Sequence, residues 1–93
     1  MHQLEQYYPG DASWQQFVAV FSQSRSRQEV VDLARSLDGD VDLATVVYEV
    51  VGAGYDKWIR EKVPAMDDLA PIDCVRSPAL MKRLRTALMR FPS

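Results

Sequence analysis

The sequence predicts an all-α protein, a small orthogonal bundle of five to six short helices. Apolar residues recur at the spacing of an amphipathic helix in several segments. Prolines, glycines and polar runs separate these segments, as expected for short helices joined by turns. The one β-branched cluster, residues 46–51, also fits helical spacing, and no partner strand is predicted elsewhere. With 93 residues, the chain is long enough for a single domain, 1–93.

The chain begins with an irregular arm, residues 1–10, which ends in a Pro-Gly pair. Asp11 or Ser13 is placed to cap a first helix, because short polar side chains accept from the free backbone N–H groups of a first turn. The inward face of this helix carries Trp14, Phe17, Val18 and Phe21. Together with the next two helices it makes up an N-terminal unit, residues 11–51.

The second and third helices have their own start signals. Ser26 followed by Glu29 is a capping-box pair, in which each side chain accepts from the backbone N–H of the other residue. Asp40 or Asp42 can cap the third helix. The inward residues of the two helices are Val30, Leu33, Ala34, Leu37, Leu43, Val46, Val47 and Val50.

Glycine and proline set the boundaries in the remaining region, residues 52–93. A fourth helix is predicted over residues 55–62, and Pro64 ends it because proline disfavours a helical residue before it. Pro71 is suited to the first position of a short helical turn, since its missing N–H would have no partner there.

The last helix is predicted after Ser77, a capping residue, and Pro78, which suits a first helical turn. Its apolar stripe consists of Leu80, Leu84, Leu88 and Phe91. Residues 76–93 carry five bases and no acid, a net charge of +5, whereas residues 1–75 carry −7. These cations can stabilise the C-terminus of the helix, or they can meet an acidic partner.

No catalytic set can be assembled from the residues available. His2 lies at the start of the arm, where it cannot be positioned as a general base. Cys74, the single cysteine, lies in an apolar turn and is interpreted as a core residue. One histidine and one cysteine cannot supply a zinc site. We therefore expect a binding protein rather than an enzyme, with no cofactor and no metal.

Four acidic residues fall at positions 1, 3, 5 and 12 of a calcium-binding loop, namely Asp38, Asp40, Asp42 and Glu49. The position that needs glycine for the sharp turn of such a loop is Leu43, however. Apolar periodicity also makes residues 43–50 helical. Helix capping explains the aspartates better than calcium binding does.

The chain shows neither a signal peptide nor the ~20 consecutive apolar residues of a membrane-spanning helix, so we expect a cytoplasmic protein. Its net charge of −2 disfavours general nucleic-acid binding. The second predicted helix offers only Arg27, Gln28 and Arg35 for DNA contacts, beside two acidic residues. A complete helix-turn-helix is not evident.

A spaced pattern of glycine, tryptophan and proline runs through the second half of the chain. Gly52 ends a predicted helix, the Trp58-Ile59 pair follows, and Pro64 and Pro71 come six and thirteen residues after the tryptophan. Met66 follows Pro64 by two residues, and the final helix carries Leu84 and Leu88. With this spacing, residues 52–91 resemble the C-terminal toxin-binding domain of the Xre/MbcA/ParS antitoxins. That family usually has glycine where this chain has Asp68 and Leu80.

The resemblance implies that the chain neutralises a toxin by direct protein–protein binding. The usual partner of the family is a RES-type toxin that consumes NAD, and the C-terminal end of the antitoxin can plug its active site. The residues that correspond to partner contacts here are Arg83, Arg85, Arg90, Phe91, Pro92 and Ser93. Those that correspond to the structural motif are Gly52, Trp58, Pro64, Pro71, Leu84 and Leu88.

Two other functions fit the same sequence. A stand-alone helical adaptor, for example from a mobile element, would use the same domain against an unrelated partner. A small DNA-binding repressor would use the first two helices. A homodimer is a further expectation, because the aromatic residues Tyr7, Tyr8 and Trp14 are placed to pack against a second copy if they are exposed.

Overall fold

A computed structural model describes residues 4–91, and within this range the chain is helical and forms no strand. The α-helices are α1 (Asp11–Val20), α2 (Gln28–Ser36), α3 (Val41–Val51), α4 (Tyr55–Trp58) and α5 (Pro78–Met89). Single 3-10 turns occur at Leu4–Tyr7, Ser22–Ser24, Gly52–Gly54, Pro64–Met66 and Pro71–Asp73. The all-α prediction is confirmed, but only four helices are longer than one turn, fewer than the five to six predicted. No helix in the described range is long and apolar enough to cross a membrane.

Helix α3 lies at the centre of the core. Five consecutive residues of this helix, 43–47, are buried, and the helix packs against α1, α2, α4 and α5. Burial on every side of residues 43–47 explains why this stretch carries only apolar and small residues, whereas the charged Asp42 and Glu49 lie outside it and are not buried. The largest fully buried apolar side chains elsewhere are Trp14, Val30, Leu37, Ile59, Met66, Leu84 and Leu88.

The N-termini of α1 and α2 differ from the predicted caps. Helix α1 begins at Asp11 itself, after Gly10, and no side chain caps it. Helix α2 is preceded by Arg27, and the predicted Ser26–Glu29 capping box is wrong. The Arg27 carbonyl accepts from the N–H groups of two residues of α2, both at 3.0 Å, so the backbone itself satisfies part of the first turn.

Both ends of α3 follow their local sequence signals. Of the two predicted capping residues, Asp40 forms the cap, because its Oδ1 accepts from the Leu43 N–H at 2.9 Å. Gly52 ends the helix with φ 81, a left-handed conformation that glycine adopts without a Cβ clash. Side-chain capping and the glycine stop were both visible in the sequence.

Helix α4 is much shorter than the predicted 55–62. In a longer helix, the Ile59 carbonyl would accept from the N–H of Val63. It accepts instead from the Ile72 N–H at 3.0 Å, and the Val63 N–H donates to the Leu69 carbonyl at 3.1 Å. The chain after Trp58 therefore exchanges helical bonds for bonds to a later segment, and α4 remains a single turn.

Helix α5 starts as predicted and ends two residues before the predicted stripe does. The Ser77 hydroxyl accepts from the Leu80 N–H at 3.3 Å, and Pro78 is the first helical residue. Leu84 and Leu88 are fully buried. Phe91 lies beyond the last helical residue and is 39% exposed, so it is not part of the buried stripe.

Candidate partner-binding surface

Arg83 is a buried cation on α5. It is 8% exposed and follows Leu80 by three residues, which places it on the same side of the helix as the leucine stripe. Its Nε and Nη2 donate to the two carboxylate oxygens of Glu5 at 2.9 and 2.8 Å. Its Nη1 donates to Asp67 at 2.9 Å. The guanidinium is thus enclosed by carboxylates of the same chain.

These contacts shift the titration of both partners. The hydrogen bond from Arg83 holds the pKa of Glu5 below its ordinary value, and the bond to Glu5 raises the pKa of Arg83. Both shifts favour the charged forms. The bidentate geometry is that of the strongest arginine–carboxylate pairs. Arg83 therefore joins the start of the chain to α5, and a partner could reach it only if the N-terminal segment moved away.

The loop that supplies Asp67 has an unusual backbone. Asp67 and Asp68 have φ values of 56 and 62, in the left-handed region that few non-glycine residues adopt. Aspartate tolerates this region better than most residues because its short side chain is polar and unbranched at Cβ. The turn brings the Asp67 carboxylate to α5. It also gives Asp68, where the resembled family usually has glycine, a conformation typical of glycine.

Arg85 lies between the N-terminal segment and α1. Its Nη1 donates to the Tyr8 hydroxyl at 2.9 Å, and that hydroxyl donates to Asp11 at 2.7 Å. Its guanidinium stacks over the Trp14 ring, 5.0 Å from the centroid. Burial raises the pKa of Tyr8, so its hydroxyl keeps its proton. Arg85 is partly accessible, with 21% of its side chain exposed.

The C-terminal end of α5 presents a patch of Trp58, Arg90 and Phe91, which we call the C-terminal patch. The rings of Trp58 and Phe91 meet edge to face, 6.3 Å apart. Arg90 is exposed, and its guanidinium lies 4.9 Å from the centroid of the Tyr7 ring. Tyr7 is itself 48% exposed. Of the residues assigned to partner contacts, Pro92 and Ser93 lie outside the described range.

The structural-motif residues lie at the ends of helices and turns or in the core. Gly52 ends α3, Trp58 ends α4, and Pro64 and Pro71 each begin a 3-10 turn. Leu84 and Leu88 are fully buried in the core, and the turn that begins at Pro64 packs against α5. Comparisons of the chain with protein-family models, curated proteins and solved structures found no match.

Several residues considered for chemistry make other contacts, and His2 lies outside the described residues. The Cys74 thiol is buried, donates to the Ala70 carbonyl at 3.4 Å, and has its pKa raised by burial. Within residues 4–91, no group of three or more His, Cys, Asp or Glu residues is placed to hold a metal ion. Of the four calcium candidates, Asp40 caps α3, Asp42 pairs with Arg25, and Glu49 accepts from Ser24 at 2.7 Å.

The aromatic residues expected at a homodimer interface are not equally accessible. Trp14 is fully buried, which contradicts its use at such an interface, and Tyr8 is half-buried beneath Arg85. Of the three, Tyr7 has the most exposed ring. The burial of Trp14 follows from the position of α1, which packs its aromatic side against α3 and α5.

Sequence reasoning missed Glu5 and Asp67 as the partners of Arg83. Glu5 lies 78 residues from Arg83, in a segment expected to be irregular, and no local pattern connects the two. One signal was available, however. A cation three residues after Leu80 lies on the apolar side of the helix, and a buried arginine needs carboxylate or hydrogen-bond partners.

Proposed function

We propose that this chain is an antitoxin-type cytoplasmic protein that neutralises a RES-type, NAD-consuming toxin by direct protein–protein binding. The observation that carries the proposal is the left-handed backbone of Asp68, with φ 62, at a position where the resembled family usually has glycine. Glycine adopts this conformation readily and other residues adopt it rarely. The chain thus follows a glycine-type turn there although the side chain differs.

The packing around this turn supports the same proposal. The antiparallel bridge between Val63 and Leu69 closes the loop, and the Ile72 N–H bond to the Ile59 carbonyl fixes the segment that follows it. Both spaced prolines lie at the starts of turns, where a missing N–H leaves no buried acceptor unpaired. The spaced tryptophan and prolines therefore lie at the turns that shape the loop beside α5.

The C-terminal patch is the surface we assign to the toxin. Tryptophan, tyrosine and arginine are the residues most often found at energetic centres of protein interfaces. Arg90 presents a charge that can meet an acidic group of the toxin, and the exposed edge of Phe91 offers apolar area beside it. Neutralisation would be steric, because the bound helical surface covers the substrate cleft. NAD would belong to the toxin, and this chain would need no cofactor.

Co-expression with a toxin-like protein encoded beside this chain tests the proposal. We expect the two to elute together on size exclusion, and the complex to consume NAD more slowly than the free toxin. Separate elution of the unaltered chain would refute the antitoxin function.

Variants of the patch test the surface. Phe91→Ala and Arg90→Glu should each weaken the toxin complex by about tenfold or more, since central interface residues commonly contribute more than 1 kcal/mol. Val20→Ala is a matched apolar control, because Val20 is 73% exposed and lies on α1. Arg35→Glu is the matched charge control on α2. If patch and control variants weaken the complex equally, the toxin does not bind at the patch.

A further inference from the structure

Two arginines of α5, and Arg90 directly after it, already contact the chain's own N-terminal segment. We call residues 5–9 the strap, and Arg83, Arg85 and Arg90 the strap site. Glu5 binds Arg83, Tyr8 binds Arg85, and Tyr7 lies under Arg90. Three of the five cations in the basic region thus contact acidic or aromatic side chains of the strap.

The contacts have a regular arrangement along the helix. Arg83 lies in α5 and Arg90 directly follows the helix, seven residues or about two helical turns further on, so the two lie on the same side. The strap places a carboxylate against Arg83 and an aromatic ring against Arg90. A short peptide can supply both groups from residues two apart, as Glu5 and Tyr7 do here from one 3-10 turn.

The strap is joined to α1 through a glycine hinge. Gly10 has φ 109 and ψ 164, a backbone conformation that is essentially restricted to glycine. Pro9 precedes Gly10. The Gly10 carbonyl accepts from the Trp14 N–H at 3.1 Å, within the first turn of α1. The first backbone hydrogen bond of α1 therefore forms without the strap, and rotation at Gly10 would release the strap, with loss of the Tyr8–Asp11 bond, while α1 stays in place.

We infer that the strap site is a docking surface for an acidic–aromatic peptide segment of a partner protein, and that the strap is its intramolecular competitor. The inference rests on the proposed function for the identity of that partner, because the segment would belong to the toxin. It adds the chemistry that the toxin must present, and it adds a regulatory step, since the strap has to open first.

A carboxylate is required because of the position of Arg83. When the strap leaves, the guanidinium loses both bonds to Glu5 and keeps only Asp67. A buried arginine without sufficient acceptors is unfavourable, so the incoming segment must replace the lost carboxylate. Neutral hydrogen-bond acceptors would form weaker contacts than a bidentate carboxylate.

An aromatic residue is favoured for a second reason. Arg90 is exposed, and a ring stacked on a guanidinium is attractive while leaving the charge hydrated. The Arg85 guanidinium is likewise 6.0 Å from the Tyr8 ring, but it also stacks on Trp14 of α1 and keeps that contact when the strap opens. Arg85 thus stays ordered and can receive a hydroxyl or carboxylate from the partner.

A peptide added in solution must compete with a strap tethered to the same chain. A short tether gives an effective concentration in the millimolar range, so the intact chain should bind such a peptide weakly. Weakening the strap should therefore increase affinity for the peptide. A surface that merely carried positive charge would show no such increase.

The test uses a fluorescein-labelled peptide with the sequence of residues 4–11 and the full-length chain. Fluorescence anisotropy compares the unaltered chain, the strap variant Glu5→Gln/Tyr7→Ala, and the control Glu29→Gln/Val31→Ala, which alters exposed residues of α2. We expect the strap variant to bind about tenfold more tightly than the other two, the effect of one lost charge-assisted contact. A peptide with Gln in place of Glu5 should bind the strap variant about tenfold more weakly than the acidic peptide.

Three results would overturn the inference: equal affinity of the three proteins, equal affinity of the acidic and amide peptides, or dimerisation of the strap variant in place of peptide binding. If the strap variant does not fold, the two peptides are compared on the unaltered chain at higher concentration, where the preference for the acidic peptide must persist. Toxin is absent from this test. Peptide binding without a toxin complex therefore refutes the proposed function alone, and a toxin complex without peptide binding refutes this inference alone.

Discussion

Helices α3 and α5 both enter the core, but different interactions hold them. Residues 43–47 of α3 are all buried, and the polar one among them, Thr45, satisfies its hydroxyl within the helix by donating to the Val41 carbonyl at 2.7 Å. Helix α5 also buries leucines, but beside them it buries the charged Arg83. The partners of that arginine lie 78 and 16 residues away in sequence.

The difference shows two ways of placing a helix in a small domain. Apolar burial is non-directional, so it holds α3 in the core without fixing a particular contact. A bidentate arginine donates to carboxylates in a narrow range of geometries. Arg83 therefore constrains where the strap and the Asp67 turn lie against α5, and it joins parts of the chain that no local interaction brings together.

The largest expected effect on the free energy of unfolding comes from a substitution in α3. Replacing Leu43, which is fully buried, with alanine should lower the free energy of unfolding by about 3–4 kcal/mol, because the substitution loses transfer energy and leaves a cavity. Urea denaturation measures the change. The control Val20→Ala should stay within about 0.5 kcal/mol, since that side chain is largely exposed. A small loss for Leu43→Ala would contradict the central position of α3.

The loss of the Arg83 charge from α5 should lower the free energy of unfolding by a smaller amount. Arg83→Met should cost about 2 kcal/mol, below the usual range for a broken buried pair, because the Glu5 and Asp67 side chains are 20% and 47% exposed and can regain water. Urea denaturation of Arg83→Met, Glu5→Gln and the double variant gives the coupling between the two residues.

Lys82→Met is the matched control, because Lys82 neighbours Arg83 on α5 and is exposed. It should leave the free energy of unfolding nearly unchanged. Additive losses for Arg83→Met and Glu5→Gln would show that the two side chains do not stabilise one another, and would remove the distinction drawn between α3 and α5.

The same contrast explains what could be predicted from the sequence. The helical class, the Asp40 and Ser77 caps and the Gly52 stop all depend on residues within one turn of each other, and the structure has them. The length of α4 could not be predicted, because bonds involving Leu69 and Ile72 end it. The wrong caps of α1 and α2 are local errors, whereas the length of α4 and the partners of Arg83 depend on contacts between separate segments.

The candidate partner-binding surface was also only partly predictable, because the partners of its cations are distant in sequence. The sequence showed these cations as a basic region, but it did not show which of them is buried against carboxylates and which is exposed. Arg83 is enclosed by Glu5 and Asp67, whereas Arg90 remains exposed. A charge count cannot distinguish the two. The position of Arg83 on the apolar side of α5 could have distinguished them, since a buried cation must have partners.

The smallest expected effect, and the sharpest test of the ionic contact, is a dependence on pH. The pKa of Glu5 is lowered from its ordinary value of 4.5, chiefly by the hydrogen bond from Arg83. A carboxylate whose pKa is lower in the folded state contributes stability above its unfolded pKa and loses it as the pH falls through the folded pKa. The groups that face it are Arg83 and, across the guanidinium, Asp67.

The unaltered chain should therefore be more stable than Glu5→Gln at neutral pH, and the difference should shrink as the pH is lowered below 4.5. Protonated Glu5 and glutamine are both neutral, so at sufficiently low pH the two proteins should unfold at similar urea concentrations. Other carboxylates lower the stability of both proteins in acid, and the comparison cancels their effect. A difference that stays constant with pH would mean that Glu5 stabilises the strap by packing rather than by its charge, and α5 would then be held in the same way as α3.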